Sequence, residues 1–242
     1  MVSDWWCRVT VGTVSAVHPY FLATAWNSVS VPCYRYCLCV MLLMSMGMSA
    51  LAADQADGFV DLIKADSLDG WHLVVRQNDR SPPSKKPNWE VKNGILINTT
   101  PGRHLASDEK YRDFELAFDF QVPAKCNNGA YLRGRYELKL KDANPLETPP
   151  TQRCGAIYNQ IAPAVNAYIG PRKWNKCSVV LEDNELTVVM NDKVLIEKRQ
   201  LDGPTAGAFS LEEDEPGRLV LHSHAAGAGI TYRGMRIKRL NE

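Results

Sequence analysis

The chain has 242 residues, with 28 Lys and Arg against 27 Asp and Glu, and seven cysteines. Within residues 1–53 the only charged groups are Arg8, Arg35 and Asp4, so the remainder carries 26 basic and 26 acidic side chains and is neutral. A neutral domain lacks the basic excess that nucleic acid or an anionic membrane surface requires, while roughly 190 residues suffice for one sizeable core.

In chain order the first feature is a secretory leader. Tyr34-Arg35-Tyr36, the apolar run Cys37–Met48 and Ala50-Leu51-Ala52 supply its positive, apolar and small-residue regions, with cleavage near Ala52 or Ala53. The apolar run is short for a bilayer span, and a single-pass anchor is the alternative on the same length argument. The stretch ahead of residue 30 is long for the first region of a leader, which points to a miscalled Met1 and a start nearer Met41. Residues 1–53 are therefore read as a signal peptide or miscalled extension. Residues 54–242 are read as a single domain of an exported protein, periplasmic or extracellular.

Beyond the leader, short alternating runs bounded by Gly, Pro, Asn and Asp recur, and no long helical period appears. The polar, proline-rich stretch Gln77–Pro87 reads as a flexible connection. Trp89 to Ile97 carries Asn93-Gly94 between apolar stretches, a hairpin signal. Phe114 to Gln121 alternates cleanly, with Glu115 and Asp119 opposite four apolar groups, and Pro123 ends that strand. Asn128 to Leu140 reads as one continuous strand. Ala130, Leu132, Gly134, Tyr136, Leu138 and Leu140 then face a core, while Tyr131, Arg133, Arg135, Glu137 and Lys139 face the other way.

The long stretch from Asp142 to Tyr168, with Pro145, Pro149, Pro150 and Pro163, suits neither strand nor helix and is expected to fold as a loop over that strand. Cys126, Cys154 and Cys177 are the cysteines left outside the leader, and none has zinc-knuckle spacing. In an oxidising compartment Cys126 and Cys154 could form a bridge. Further strands are expected at Cys177–Leu181, Glu185–Met190, Val194–Lys198, Arg218–His224 and Ile230–Leu240, turning at Asp183-Asn184, Asn191-Asp192 and Ala225–Gly229. His222 and His224, two apart, fall on one side of their strand, either as acid and base groups or as metal ligands or as solvent-facing imidazoles. Trp71, Trp89 and Trp174 sit among apolar neighbours and read as core. The fold class is all-β, an antiparallel two-sheet jelly-roll sandwich.

Several separated motifs together resemble the 3-keto-disaccharide hydrolase domain family, whose fold is that of concanavalin A-like lectins and glucanases. They are Leu68-Asp69-Gly70-Trp71, Trp89-Glu90-Val91, Asn93-Gly94-Ile95-Leu96, Asp113-Phe114-Glu115-Leu116, Asn128-Gly129 and Leu132-Arg133-Gly134-Arg135-Tyr136-Glu137. Cys154-Gly155-Ala156-Ile157-Tyr158, Ile161-Ala162-Pro163, Trp174-Asn175, Tyr232-Arg233 and Met235-Arg236-Ile237 continue the series. The chain departs from that family's pattern at Lys139 and His222, where glutamine is frequent, and at Arg233-Gly234.

The resemblance implies cleavage of glycosides already oxidised to a 3-ketone. The ketone acidifies the adjacent C–H, a base removes that proton, the enolate is stabilised by cations or hydrogen-bond donors, and the glycosidic oxygen leaves. Glu137 is the expected base or acid, Arg133 and Arg135 the enolate or hydroxyl binders, and His222 and His224 further acid or base groups. Asn128, Tyr131, Lys139, Asp119 and Tyr158 are the expected sugar-binding residues, with a core role the alternative for Tyr158 and an ordinary solvated charge the alternative for Asp119. The alternatives are a carbohydrate-binding module using the same face without chemistry, and a sandwich that binds no ligand. No cofactor fingerprint, phosphate loop or metal spacing is legible, and a structural calcium held by loop oxygens would leave no trace in the sequence. The expected partner is a carbohydrate, and oligomeric state is not written in the chain.

Overall fold

The computed structural model describes residues 57–76, 87–224 and 229–241, all within one compact unit spanning Ser49–Glu242. The leader and nearly all of the Gln77–Pro87 and Ala225–Gly229 stretches lie outside the described residues. The strands are β1 (Val60–Asp61), β2 (Trp71–Val74), β3 (Trp89–Lys92), β4 (Ile95–Asn98), β5 (His104–Tyr111), β6 (Phe114–Gln121) and β7 (Asn127–Leu132). They continue with β8 (Tyr136–Lys141), β9 (Asn175–Glu182), β10 (Glu185–Met190), β11 (Lys193–Gln200), β12 (Gly217–Leu221) and β13 (Thr231–Arg239).

Two antiparallel sheets result. The larger runs β11-β10-β9-β6-β13-β4-β3, with β1 also paired to β13, and the smaller runs β2-β5-β12-β7-β8. Their facing sides build one core. Phe114, Leu116, Phe118 and Phe120 of β6 alternate into it, as do Leu138 and Leu140 of β8 and Leu219 and Leu221 of β12. Each such side chain, once buried, stabilises by about 1.5–3 kcal/mol, and the period of two leaves the intervening side chains on the outer face. The sandwich expected from the sequence is therefore present.

The expected hairpin at Asn93-Gly94 joins β3 to β4, with both turn residues at positive φ, 52° and 71°. β9, β10 and β11 form the expected meander, and the Asn191-Asp192 turn again places both residues at positive φ. β5 was not foreseen, because its second half, Asp108-Glu109-Lys110, is exposed and highly charged. Trp71 and Trp89 are buried, whereas Trp174 is only half-buried and carries the Arg233 guanidinium 4.2 Å above its ring, so it is not core.

Residues 128–140 correct the expected single strand. They form a hairpin, β7 and β8, turning at Arg133-Gly134-Arg135. Arg133 and Gly134 have φ of 51° and 69°, and the Arg135 N–H donates to the Leu132 carbonyl at 2.9 Å, the geometry of a tight turn with both central residues left-handed. The Asp142–Tyr168 stretch folds over β8 as expected. It covers that edge strand through Gly155 N–H to Lys139 O (2.8 Å), Lys139 N–H to Ala156 O (2.9 Å) and Tyr158 N–H to Glu137 O (2.9 Å).

The anticipated Cys126–Cys154 bridge does not form; both remain thiols, as does Cys177. The Cys126 sulfur accepts instead from the Asn128 side-chain amide at 3.1 Å, and burial pushes the Cys126 thiol up to about 11.

Candidate active site

On the outer face of the smaller sheet, cross-strand register sets residues into rows. Glu137 is opposite Tyr131, Tyr131 opposite Val220, and Val220 opposite Ala106. In the next row Lys139 is opposite Gly129, the His222 N–H donates to the Gly129 carbonyl at 2.9 Å, and the His222 and His104 ring centres are 5.0 Å apart. Gly129 therefore leaves a gap between Lys139 and His222. The Glu137 carboxylate fills that gap: Oε1 accepts from Lys139 Nζ at 3.0 Å and meets His222 Nδ1 at 3.1 Å.

Arg76 completes the chain of groups. Its Nη2 lies 3.2 Å from His222 Nε2, and because a guanidinium can only donate, Nε2 is the acceptor and Nδ1 carries the proton that faces Glu137. Burial opposes charge on Glu137, but the His222 hydrogen bond and the Lys139 ammonium outweigh it and hold the carboxyl below its ordinary range. His224, its ring 5.6 Å from that of His222, is shifted down by burial and then by His222 and Lys139, which disfavours its cationic form.

These groups line a cavity of about 330 Å³, bounded also by Asn127, Tyr131, Lys141, Gln152, Tyr158, Ala206 and Gly207. Tyr131 meets His222 edge-on at 5.8 Å, and Lys139 Nζ stands 5.1 Å from the centre of the Tyr158 ring. Burial, and then the neighbouring Glu137 charge, push the Tyr131 hydroxyl well above its ordinary value, so it stays protonated and able to donate.

Of the residues expected from sequence, Glu137, Lys139, His222, His224, Tyr131 and Tyr158 come together here. Four do not. Arg133 sits in the turn, donating from Nη2 to Asp113 Oδ1 at 2.9 Å and from Nε to the Arg112 carbonyl. Arg135 donates to the Glu215 carbonyl at 2.7 Å and is buried, because alternation is broken at the turn and both arginines leave the outer face. Asp119 belongs to the larger sheet and pairs with Arg233 at 2.9 Å. Asn128 faces inward, fully buried, and its Oδ1 accepts the His224 N–H at 3.3 Å, so it supports the histidine instead of lining the cavity.

Arg76, Asn127, Lys141 and Gln152 were missed. Lys141 and Asn127 continue the alternation by one step at each end of the hairpin and were legible on that ground; Arg76, just past β2, carried no signal. Among the described residues, no group of three or more His, Cys, Asp or Glu is arranged to hold a metal ion.

Gly129 is the position on which this arrangement turns. A Cβ there would lie 2.5 Å from Glu137 Oε1, 2.7 Å from its Cγ and 2.9 Å from the Leu138 carbonyl. Gly129→Ala is expected to displace the Glu137 carboxylate and, because the Leu138 carbonyl is backbone, to cost some stability without unfolding the sandwich. Its check is turnover against melting temperature: a loss of turnover of at least tenfold with a shift of a few degrees supports the gap's role, since about 1.4 kcal/mol of misplacement gives that factor.

The comparisons agree with this architecture. Residues 58–238 match the model of the 3-keto-alpha-glucoside-1,2-lyase-like domain. Two crystal structures of provisionally named glycosyl hydrolases from Parabacteroides distasonis ATCC 8503 share the fold. One is 23% identical, with a TM-score of 0.61 over 76% of this chain and 84% of that one; the other is 18% identical, at 0.63 over 78% and 97%. LamAcat from Zobellia galactanivorans is similar at a TM-score of 0.50, 11% identity, and 75% and 96% coverage. Among curated protein sequences none matches.

Proposed function

Because the chain belongs to the family of 3-keto-alpha-glucoside-1,2-lyase-like domains, we propose that it is an exported carbohydrate-active enzyme that cleaves 3-keto-glycosides by elimination and rehydration. The observation that carries this reading is the chain Glu137–His222–Arg76 beside Lys139 lining an open cavity, with Glu137, His222 and Lys139 buried.

In this reaction His222 is the base. Glu137 fixes the imidazole with its Nδ1 proton turned inward, which leaves the Nε2 lone pair directed toward Arg76 and the cavity. Nε2, released from the Arg76 N–H as the sugar enters, takes the proton from C2, and the electron pair moves into the adjacent C3 ketone as an enolate. The Arg76 guanidinium, already 3.2 Å from Nε2, is placed to receive that oxygen, and the Lys139 ammonium adds positive charge in the same water-poor corner. Collapse of the enolate forms the C1–C2 double bond and breaks the bond from C1 to the aglycone oxygen. The protonated His222 returns its proton to that oxygen. Water then adds across the double bond, hydroxyl to C1 and hydrogen to C2, and the net result is hydrolysis. Tyr131 and Tyr158 offer hydroxyls and ring faces to the sugar. The roles expected of Arg133 and Arg135 pass to Arg76 and Lys139.

The test is release of a chromogenic aglycone from a 3-keto-α-glucoside, with and without deuterium at C2. Turnover slowed by the deuterium, and lowered roughly 10²–10⁴-fold in His222→Ala, is the expected result. Saturable sugar binding with no release would make the protein a carbohydrate-binding module.

A further inference from the structure

The cavity is unevenly charged. Arg76, Lys139 and Lys141 line it, and Glu137 is its only carboxylate among the described residues. That carboxylate is held directly by Lys139 and His222 and reaches Lys141 only through its longer-range charge. The neighbouring acid, Asp142, is turned aside: its Oδ2 accepts the Lys125 N–H at 2.8 Å. No hydrogen bond or ion pair from the Lys141 ammonium is found among the described residues. Half-burial, and then repulsion from Lys139, lower its pKa from the ordinary lysine value more than the Glu137 charge raises it, so its positive charge is raised in energy by its surroundings.

A second polar side chain borders the same end of the cavity. Asn127, cross-strand partner of Lys141, has a buried side-chain oxygen with no hydrogen-bond partner. The same side chain also carries two N–H donors, which rotation of the amide exchanges with the oxygen. Lys141 also borders a smaller cavity of about 120 Å³ shared with Arg153, so the positive end of the site extends away from His222. A neutral sugar asks for donors and acceptors and gains little from the Lys141 ammonium. An anion gains from that charge as well as from the donors.

We propose that the ligand of this cavity is an acidic glycoside, one whose sugar carries a carboxylate or a sulfate ester, with the anionic group seated on Lys141 and Asn127 at the end of the cavity away from His222. This rests on the reading of the cavity as a sugar site, and it adds the substrate class. Lys141 and Asn127 are then specificity-determining residues: they touch the anionic group and not the reacting carbons.

Calorimetric titration of the purified protein with methyl α-glucoside, methyl α-glucuronide and methyl α-glucoside 6-sulfate tests the proposal without requiring the ketone or turnover. The expected result is that at least one acidic sugar binds roughly 10- to 100-fold more tightly than the neutral one, with the preference shrinking as salt is raised. The two acidic arms tell carboxylate from sulfate ester. Lys141→Gln is expected to cut the acidic-to-neutral ratio about tenfold, whereas Lys193→Gln, on the exposed start of β11, leaves it unchanged. Equal affinities, or a preference that Lys141→Gln does not move, would overturn the acidic-substrate inference and leave the proposed reaction standing. Acidic preference without any cleavage of 3-keto-glycosides would do the reverse. No binding of any of the three sugars would overturn the acidic site outright.

Discussion

Arg133→Ala is expected to lower the stability of the folded protein by about 3–5 kcal/mol, the usual cost of removing one partner from a buried ion pair. For a chain of this size that is a fall of roughly 6–20 °C in melting temperature. The reason lies in the turn. Arg133 holds a left-handed backbone conformation unfavourable for a side chain with a Cβ, and its guanidinium, 3% exposed, neutralises Asp113. Asp113 Oδ1 also accepts the Asp183 N–H at 2.8 Å, so this one carboxylate ties the β7–β8 turn to the turn between β9 and β10. Assayed well below its melting temperature, the variant is expected to keep its turnover per folded molecule. Normal stability with lost turnover would return Arg133 to the enolate- or hydroxyl-binding role expected of it from the sequence.

Glu137→Gln is expected to have the opposite profile in kinetics, with turnover down roughly 10²–10⁴-fold. The amide keeps the shape of the side chain but removes the anion that orients the Nδ1 proton of His222, and it leaves Lys139, 4% exposed, without its counterion. Stability falls as well, and pH separates the two effects. The folded-state pKa of Glu137 is depressed, so its charge stabilises the fold above the unfolded carboxylate pKa of about 4.3, and that contribution is lost as pH falls through the lower folded value. An acid-denaturation profile below about pH 4 is therefore expected to be steeper in the wild type than in Glu137→Gln. Identical profiles would mean that Glu137 is not held ionised by its neighbours. A variant that melts earlier yet turns over normally would make Glu137 structural alone.

Much of the sandwich was legible because β6, β8, β9 and β10 alternate inward and outward residues without interruption. The turn at 133–135 was not, because Leu132-Arg133-Gly134-Arg135-Tyr136 continues the same alternation and lacks the Asn or Asp that marks other turns of this chain. The face assignment nonetheless survived for Tyr131, Glu137 and Lys139. Residues opposite each other across this hairpin, such as Tyr131 and Glu137, differ by an even number of positions and share a face, so reading two strands as one leaves their sides unchanged. Only the two arginines within the turn changed side. Asp119 failed for a different reason: alternation says which residues share a face of one strand and nothing about which sheet that strand joins. Arg76 belongs to no periodic run. Its place beside His222 comes from a pairing 146 residues apart in the chain, which no local pattern encodes.

The strict alternation of β8 has a consequence for how such a protein can be redesigned. Leu138 and Leu140 commit one side of the strand to the core, while Glu137, Lys139 and Lys141 stand on the other. Position 141 lies one step past Lys139 on the outer face of β8, so exchanging it is expected to change the ligand the cavity prefers with little demand on the scaffold. Selectivity and foldability are thus adjusted on separate letters of the same six-residue word, and a library varied at 127 and 141 alone samples new substrates from an unaltered sandwich.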